Sequence, residues 1–274
     1  MFRGENISYL VGKKNILCDC SVVVTPGTFT AVAGPNGAGK TSLLKILAHE
    51  LTGYKGRVLL NDRKMSRIKN RELSALRAVL PQHTEVNFPF TIDQIVEIGR
   101  YPHRTTKVQN QRIIDEVLQL TDLVEFRGRI YQTLSGGEKQ RVQMARVMAQ
   151  VWDDSDQPKY LLLDEPTSSL DLAQQHALLG LAKELCKRNI GVLAVLHDLN
   201  LAAQYADDVL FLKGGETIAF GGVHETMTRE IIQKTFSYPV KVTYDEDTRR
   251  PLICAVAGCI LKTTEKTILK QYAL

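Results

Sequence analysis

The sequence lacks the features that mark membrane-embedded, secreted or disordered chains. Its 274 residues contain no apolar run that approaches the ~20 residues a membrane-spanning helix requires. Charged residues interrupt the N-terminus, which therefore has no apolar segment of a secretory signal peptide. Hydrophobic residues make up 44% and charged residues 24%, and this balance excludes disordered chains and coiled-coil rods. We expect a soluble, cytosolic chain with a buried core.

Cysteine is scarce and irregularly placed. The five cysteines are an odd, scattered set, which argues against a secreted disulfide framework. Cys18 and Cys20 are two residues apart, but no second pair lies at zinc-finger spacing. Residues two apart on a strand share one face, so we expect a buried or edge pair rather than a metal site.

The positive charge is concentrated in one stretch. The chain has a net charge of +5, and residues 55–77 hold eight Lys or Arg against Asp62 and Glu72. Such a stretch can face nucleic acid, an anionic membrane surface or a partner, but a solvated face without a ligand is the commoner case. Charge alone does not decide between these alternatives.

The order of the predicted elements indicates an α/β protein. Residues 1–33 are rich in strand-forming residues, and most of residues 85–151 have helical periodicity. From Tyr160 onward, apolar strands alternate with amphipathic helices. This alternation predicts a parallel sheet with crossover helices.

A glycine-rich loop predicts nucleoside triphosphate binding. Residues 34–41 fit the pattern G-x-x-x-x-G-K-[ST] and lie between a predicted strand and a predicted helix. Its backbone N–H groups and the positive end of the helix would bind phosphate oxygens. The lysine would reach the β- and γ-phosphates and the threonine would ligate Mg²⁺. The residues are Gly34, Pro35, Asn36, Gly37, Ala38, Gly39, Lys40 and Thr41.

A second acidic element fits the same chemistry. The apolar run from Tyr160 to Leu163 ends in Asp164 and Glu165. Ligand sites lie at the carboxyl ends of parallel strands. We expect Asp164 to hold Mg²⁺ and Glu165 to accept a proton from the attacking water, as a general base.

A third motif narrows the choice among the many ATPases that share the first two motifs. Residues 134–146 read LSGGEKQRVQMAR, in which Ser135 offers a hydroxyl and Gly136 and Gly137 expose backbone N–H groups at the start of a helix. A simple serine N-cap explains neither the doubled glycine nor the other two motifs. The run resembles the signature motif of ATP-binding cassette (ABC) ATPases, and the resemblance covers nearly the whole chain.

The resemblance implies a fold and a division of the chain. The fold is the P-loop NTPase fold of ABC ATPases, a RecA-like parallel-sheet core with an N-terminal antiparallel β region and an inserted helical subdomain. Residues 1–84 and 152–220 would form the nucleotide-binding core, 85–151 the helical signature subdomain, and 221–274 a C-terminal α/β tail of the same cassette. The role of the tail stays open.

The same resemblance assigns roles to four further residues. Gln82 matches the glutamine that touches Mg²⁺ or the attacking water and reports to the transport partner, and Asp171 lies in a segment that resembles the D-loop. His197 follows an apolar strand and resembles the switch histidine that contacts the γ-phosphate. Tyr9 lies where the family stacks an aromatic ring on adenine. The implied catalytic residues are Glu165, His197 and Gln82, and the implied Mg²⁺ ligands are Thr41, Gln82 and Asp164.

The resemblance also predicts the assembly. In this family the signature serine of one subunit completes the nucleotide site of another, and the sequence holds one copy of each motif. A homodimer that encloses two ATP molecules with two-fold symmetry is therefore expected. We expect no nucleic-acid partner.

Three kinds of ABC ATPase compete with a transport function. A DNA-repair or chromosome ATPase needs a long coiled-coil insertion between Lys40 and Ser135, but these residues are only 95 positions apart. A translation factor would carry two cassettes, and the sequence has one. An ATPase of iron–sulfur cluster assembly stays open as an alternative, although its helical region is less similar and it lacks a comparable tail. A membrane importer is the favoured interpretation.

Among importers, the chain is similar to the ATPases that serve ferric siderophores, vitamin B12 and haem. The runs that carry this similarity are 88–91, 99–103 and 196–207, and the loop 152–159 with the run 171–176 resembles the haem-import ATPases most. Haem is the expected cargo, with a siderophore or vitamin B12 as the alternative. The resemblance implies a peripheral protein on the cytoplasmic face of the bacterial inner membrane. It would bind permease subunits through their coupling helix near Gln82 to Tyr101, and a periplasmic substrate-binding protein would act indirectly.

Overall fold

The computed structural model describes residues 1–82, 84 and 86–256, and its N-terminal part is an antiparallel sheet. The part of the predicted tail after residue 256, with Cys259, lies outside the described residues, as does His83. The strand order is β2-β1-β4-β5. The strands are β1 (Phe2–Val11), β2 (Lys14–Val24), β4 (Lys55–Leu60) and β5 (Arg63–Lys64).

A six-stranded sheet forms the centre of the molecule. Its order is β10-β9-β3-β8-β7-β6, and every neighbouring pair is parallel except β9 and β10. The strands are β3 (Phe29–Ala33), β6 (Arg77–Leu80), β7 (Lys159–Asp164), β8 (Ile190–Val195), β9 (Asp208–Lys213) and β10 (Glu216–Gly222). The α/β fold with a parallel sheet, predicted from the sequence, is therefore confirmed.

The strands at the middle of the central sheet, β3, β7 and β8, are buried on both faces, which explains why they are mostly apolar. In β7, Leu161 and Leu163 pack into one hydrophobic core, while Tyr160 and Leu162 pack into the other. Successive side chains of a strand point to opposite faces, so a strand that is covered on both sides carries apolar residues at every position. The first core includes residues of the helical region, and the second joins the central sheet to the N-terminal sheet.

Helices cover the central sheet and fill the segment between β6 and β7. Three of them, α3, α4 and α5, pack against one another, and each begins with a capping box, at Thr91, Thr106 and Ser135 respectively. The helices are α1 (Lys40–Leu47), α2 (Asn70–Leu76), α3 (Ile92–Ile98), α4 (Lys107–Leu120), α5 (Gly136–Val151), α6 (Leu172–Lys187), α7 (Leu199–Tyr205), α8 (Val223–Thr226) and α9 (Arg229–Phe236). Three short 3₁₀ helices are Met65–Arg67, Val124–Phe126 and Tyr131–Thr133.

The described chain ends in a hairpin that packs on α7. Strands β11 (Val240–Tyr244) and β12 (Pro251–Ala255) pair antiparallel, and β12 contacts α7. Within residues 1–256, leaving aside 83 and 85, no helix is long and apolar enough to cross a lipid bilayer.

The basic stretch 55–77 contains helix α2, which the sequence pattern did not predict, and ends at the first residue of β6. Several of its cations have intramolecular partners. Arg57 pairs with Glu5, and Arg63 pairs with Glu72. Arg71 donates to the carbonyl of Pro102 at 2.9 Å. These contacts support the interpretation of a solvated face, with part of its charge used to join neighbouring elements.

Candidate functional site

Four adjacent strands deliver the predicted site residues to one edge of the central sheet. The glycine-rich loop follows β3, His197 follows β8, Glu165 follows β7 and Gln82 follows β6. These strands are neighbours in the order β3-β8-β7-β6 and run parallel. Their carboxyl ends therefore meet at one edge, where open α/β sheets bind their ligands.

The glycines of the loop occupy positions that a larger residue would strain. Gly34, Gly37 and Gly39 all have positive φ angles, of 155°, 76° and 99°. A Cβ atom on Gly34 would lie 2.1 Å from the carbonyl oxygen of Leu212. Only glycine combines this backbone freedom with such a close approach. The loop ends at Gly39, after which α1 starts with Lys40 and aims its positive end at the loop.

Lys40 lies within the loop as a buried cation. Its side chain is 5% exposed, and its Nζ donates to the carbonyl oxygens of Gly34 at 2.8 Å and Pro35 at 3.1 Å. Burial lowers the pKa of Lys40, whereas the nearby carboxylates of Glu165 and Asp164 oppose that shift. An anion bound in the loop would therefore meet a fixed positive charge and the N-terminus of α1 together.

Thr41 and Asp164 form a pair of hard oxygen ligands beside the loop. The Thr41 hydroxyl donates to Asp164 Oδ1 at 3.4 Å, and Asp164 is 3% exposed. Burial and then the charge of Glu165 raise the pKa of the Asp164 carboxyl. A divalent cation would relieve this unfavourable burial of negative charge. Hydroxyl and carboxylate oxygens are the ligands that Mg²⁺ prefers, so the donor set fits that ion.

Glu165 is held between the two other predicted catalytic residues. Gln82 Nε2 donates to Glu165 Oε2 at 2.6 Å, and His197 Nε2 lies 2.5 Å from Glu165 Oε1. Glu165 adopts a left-handed backbone conformation with φ 49°, which is uncommon for a residue other than glycine. The structure thus brings Gln82, Glu165 and His197 together, and Glu165 also lines the cleft of the glycine-rich loop.

The signature residues lie elsewhere, at the N-terminus of α5. Ser135 caps α5 by accepting from the N–H of Glu138 at 3.4 Å, while its own N–H donates to the Glu138 carboxylate at 2.7 Å. Ser135 and Gly136 are exposed, and Gly137 is buried beneath the side chain of Gln174. None of the three lines the cleft of the glycine-rich loop in its own chain.

Asp171 caps helix α6 and borders the loop that follows β7. Its carboxylate accepts from the N–H of Gln174 at 2.8 Å, and its side chain is exposed. The adjacent Gln175 donates to the carbonyl of Leu170 at 3.0 Å, and Gln140 of α5 donates to that of Pro166 at 3.1 Å. The sequence pattern did not identify these two glutamines, because a polar residue on a helix gives no sign of which backbone carbonyl its side chain contacts.

Tyr9 is not among the residues that line the cleft. It is half-buried and packs against the core between the two sheets. Lys14 and Ile16 of β2 line the cleft instead. The pairing of β1 with β2 is irregular on both sides of Tyr9. Spacing along the chain does not reveal such an irregularity, so sequence analysis missed Lys14 and Ile16.

Comparisons with known proteins identify the family of this chain. Residues 17–168 match the ABC transporter family. The chain is 41% identical to the hemin import ATP-binding protein of Rhizobium meliloti, over 89% of this chain and 94% of that protein. It is 43% identical to the protein of the same name from Burkholderia ambifaria, over 87% of this chain and 93% of that protein.

Solved structures of the same kind share the fold. A structure described as an inward-facing metal-chelate type ABC transporter matches with a TM-score of 0.77 and 25% identity, over 93% of this chain and 97% of that chain. A dimeric bacterial ABC transporter cassette matches with a TM-score of 0.69 and 25% identity, over 81% of this chain and 98% of that chain. Cassettes of this family bind nucleotide, form dimers and belong to transporter complexes. The chain belongs to the ABC transporter family, as one of its ATP-binding ATPases.

Proposed function

We propose that this ATPase energises the uptake of haem across the bacterial inner membrane. The placement of Glu165 between Gln82 and His197, beside the glycine-rich loop, is the observation that supports ATP hydrolysis here. The similarity to hemin import ATP-binding proteins over 87–93% of the chain supports haem as the cargo.

The triphosphate would be bound by the glycine-rich loop. Backbone N–H groups of the loop and the Lys40 ammonium neutralise the β- and γ-phosphates, and the positive end of α1 adds to the attraction. Thr41, Asp164 and Gln82 would hold Mg²⁺. When bound, Mg²⁺ neutralises charge on the phosphate oxygens. The raised pKa of Asp164 supports this assignment, because a buried carboxylate without a cation is costly.

Hydrolysis would use Glu165 as the general base. Its carboxylate accepts a proton from the attacking water, while the water oxygen bonds to the γ-phosphorus and the bond to the bridging oxygen of ADP breaks. Gln82 and His197 contact the two carboxylate oxygens and so fix the direction from which the base can act. His197 is 45% exposed, which leaves its ring accessible to the γ-phosphate.

The active assembly would be a homodimer with two-fold symmetry. Ser135 and Gly136 are exposed at the positive end of the sixteen-residue helix α5, where they can bind the phosphates held by a second copy. Each site would then take its loop from one chain and its signature from the other. ATP binding would favour the closed dimer because it contacts both chains only in that state.

An apolar surface after Gln82 would contact the permease. Phe88 is 69% exposed, Tyr101 is 85% exposed and Ile98 is 44% exposed, which is unusual for large apolar side chains. The rings of Phe88 and Phe90 are tilted by 56° to each other, with their centroids 6.1 Å apart. A cytoplasmic coupling helix of the permease that packs here would place the protein on the cytoplasmic face of the inner membrane. A periplasmic substrate-binding protein would supply the cargo without touching the ATPase.

A ferric siderophore or vitamin B12 is the second candidate for the cargo. The structural similarity to a metal-chelate type ABC transporter supports this wider class. The ATPase site would be the same in each case, so these candidates differ only in the permease and the substrate-binding protein.

Growth of a deletion strain separates the candidate cargoes. The strain receives iron only as haem or, in parallel, only as a ferric siderophore. We expect failure on haem alone, with rescue by the native gene and no rescue by Glu165→Gln. Normal growth on haem with no growth on the siderophore would show that the cargo is a ferric siderophore and not haem. Normal growth on both would favour vitamin B12 or a function outside transport.

A further inference from the structure

The C-terminal hairpin holds both ends of α7, the helix that directly follows His197. We propose that the β11–β12 hairpin is a positioning element for His197, and that Asn200 and Arg250 are the positioning residues through which it acts. This inference rests on the proposed role of His197 in hydrolysis and gives a function to the described part of the tail.

Asn200 joins the first turn of α7 to β12. Its Oδ1 accepts from the backbone N–H of Ile253 at 2.8 Å, and its Nδ2 donates to the carbonyl of the same residue at 3.2 Å. The side-chain amide therefore binds β12 through both backbone groups of one residue. Such a two-point contact fixes orientation as well as distance.

Arg250 holds the other end of α7. Its Nη1 donates to the carbonyl of Ala206 at 2.8 Å and to that of Ala203 at 3.4 Å. The last carbonyls of a helix have no partner within the helix, and a cation at that end also complements the helix dipole. Arg250 lies directly before β12, so one short strand reaches both ends of α7.

Helix α7 depends on such external contacts. It has seven residues, and helices of this length are marginal in water without tertiary packing. The N-cap Asp198 accepts from Asn200 and Leu201 at 2.7 and 3.2 Å, and Leu201, Ala202 and Ala203 are buried. The hairpin contacts supplement this cap and buried face at the two ends of the helix.

His197 stands between a fixed strand and this helix. The N–H of Leu196 donates to the carbonyl of Val32 at 3.1 Å, which ties the upstream side to the central sheet. On the downstream side, only Asp198 separates His197 from α7. The placement of α7 therefore sets the backbone direction from which His197 reaches Glu165.

The hairpin is itself anchored in the body of the protein. Val240 is buried in the main core, and Val242 and Ile253 pack against that core. The turn between the strands is closed by a bond from the N–H of Asp245 to the carbonyl of Arg250 at 2.9 Å. Because the hairpin is fixed to the core, its contacts with α7 can fix the position of that helix relative to the core.

ATP hydrolysis by the purified full chain tests the proposal. Arg250→Gln and Asn200→Ala are each expected to lower kcat about 10-fold while KM for ATP changes less than about 2-fold, because small displacements of a catalytic group cost rate rather than ground-state binding. Arg249→Gln is the matched control, since Arg249 is exposed and adjacent, and its kinetics should be unchanged. Thermal stabilisation by ATP verifies that each variant is folded.

A double-variant cycle with His197→Ala tests the route of the effect. His197→Ala alone should lower kcat about 10²-fold or more, and adding Arg250→Gln should cause little further loss. The positioning proposal is wrong if kcat of the double variant falls by the product of the two single losses. It is also wrong if Arg250→Gln and Asn200→Ala keep normal kcat. Normal hydrolysis by His197→Ala would instead overturn the role of His197 itself, and the two failures are thus distinguishable.

Discussion

Arg100, which is buried, and Asp153 form a bidentate ion pair that joins the segment after α3 to the loop after α5. The two guanidinium nitrogens of Arg100 lie 2.7 and 2.9 Å from the two carboxylate oxygens of Asp153, and the Arg100 side chain is 1% exposed. Arg100 also donates to the carbonyl of Ala149 at 2.6 Å, in the last turn of α5. The pair therefore connects the segment that carries exposed Tyr101 to the C-terminal end of the signature helix.

Loss of this ion pair should destabilise the fold. Asp153→Asn leaves Arg100 buried without its counter-charge, and we expect the free energy of unfolding to fall by about 2–3 kcal/mol. This value is below the usual cost for a buried pair because Asp153 is 24% exposed. Urea unfolding measures the change. Asp154→Asn is the matched control, since the neighbouring side chain is fully exposed, and equal midpoints for the two variants would contradict the prediction.

Removal of the general base should separate ATP binding from hydrolysis. In Glu165→Gln, the hydrolysis rate should fall about 10²–10⁴-fold, equivalent to roughly 3–5 kcal/mol of barrier. Binding groups such as Lys40 remain, so ATP should trap a closed dimer that size-exclusion chromatography detects. Near-normal turnover in this variant would show that another group is the base.

Removal of the loop lysine should abolish nucleotide binding. Lys40→Ala deletes the buried cation of the loop, and the ATP-dependent rise in the thermal unfolding midpoint should disappear. Lys45→Ala is the control, because Lys45 is an exposed lysine of the same helix, and it should keep the full rise. A normal rise in Lys40→Ala would contradict phosphate binding by this residue.

The buried carboxylate of Asp164 should make stability depend on pH. Burial raises its pKa, so the folded chain binds this proton more tightly than the unfolded chain, and the ionised form lowers the free energy of unfolding. In the absence of Mg²⁺, Asp164→Asn should therefore raise the thermal midpoint at pH 8. The gain should vanish as pH falls through the raised pKa toward the ordinary value of about 4.

Magnesium should make the native chain more stable than Asp164→Asn, the reverse of the order expected without Mg²⁺. With Mg²⁺ and ATP, the native chain should gain more stability than Asp164→Asn, because the variant lacks a charged ligand. Equal gains for both, measured by thermal unfolding, would remove Asp164 from the proposed Mg²⁺ site.

The elements with strong local patterns were predictable from the sequence. Helix α5 lies in the segment 85–151 whose periodicity predicts helices, and α7 lies in the part after Tyr160 where strands and helices alternate. Ser135 and Asp198 cap these two helices. Strand β6 was missed because only four residues form it, directly after a charged helix. Its existence depends on pairing with β7, which no local pattern encodes.

The sequence by itself determined the glycine-rich loop, the acidic end of β7 and the signature serine. Each of these is a short contiguous run whose chemistry follows from residue type and spacing. Only the tertiary structure decided that Gln82 and His197 contact Glu165, that Lys14 and Ile16 rather than Tyr9 line the cleft, and that the hairpin holds α7. These relationships depend on strand order, β-strand irregularity and long-range hydrogen bonds, and therefore arise only when distant segments pack together.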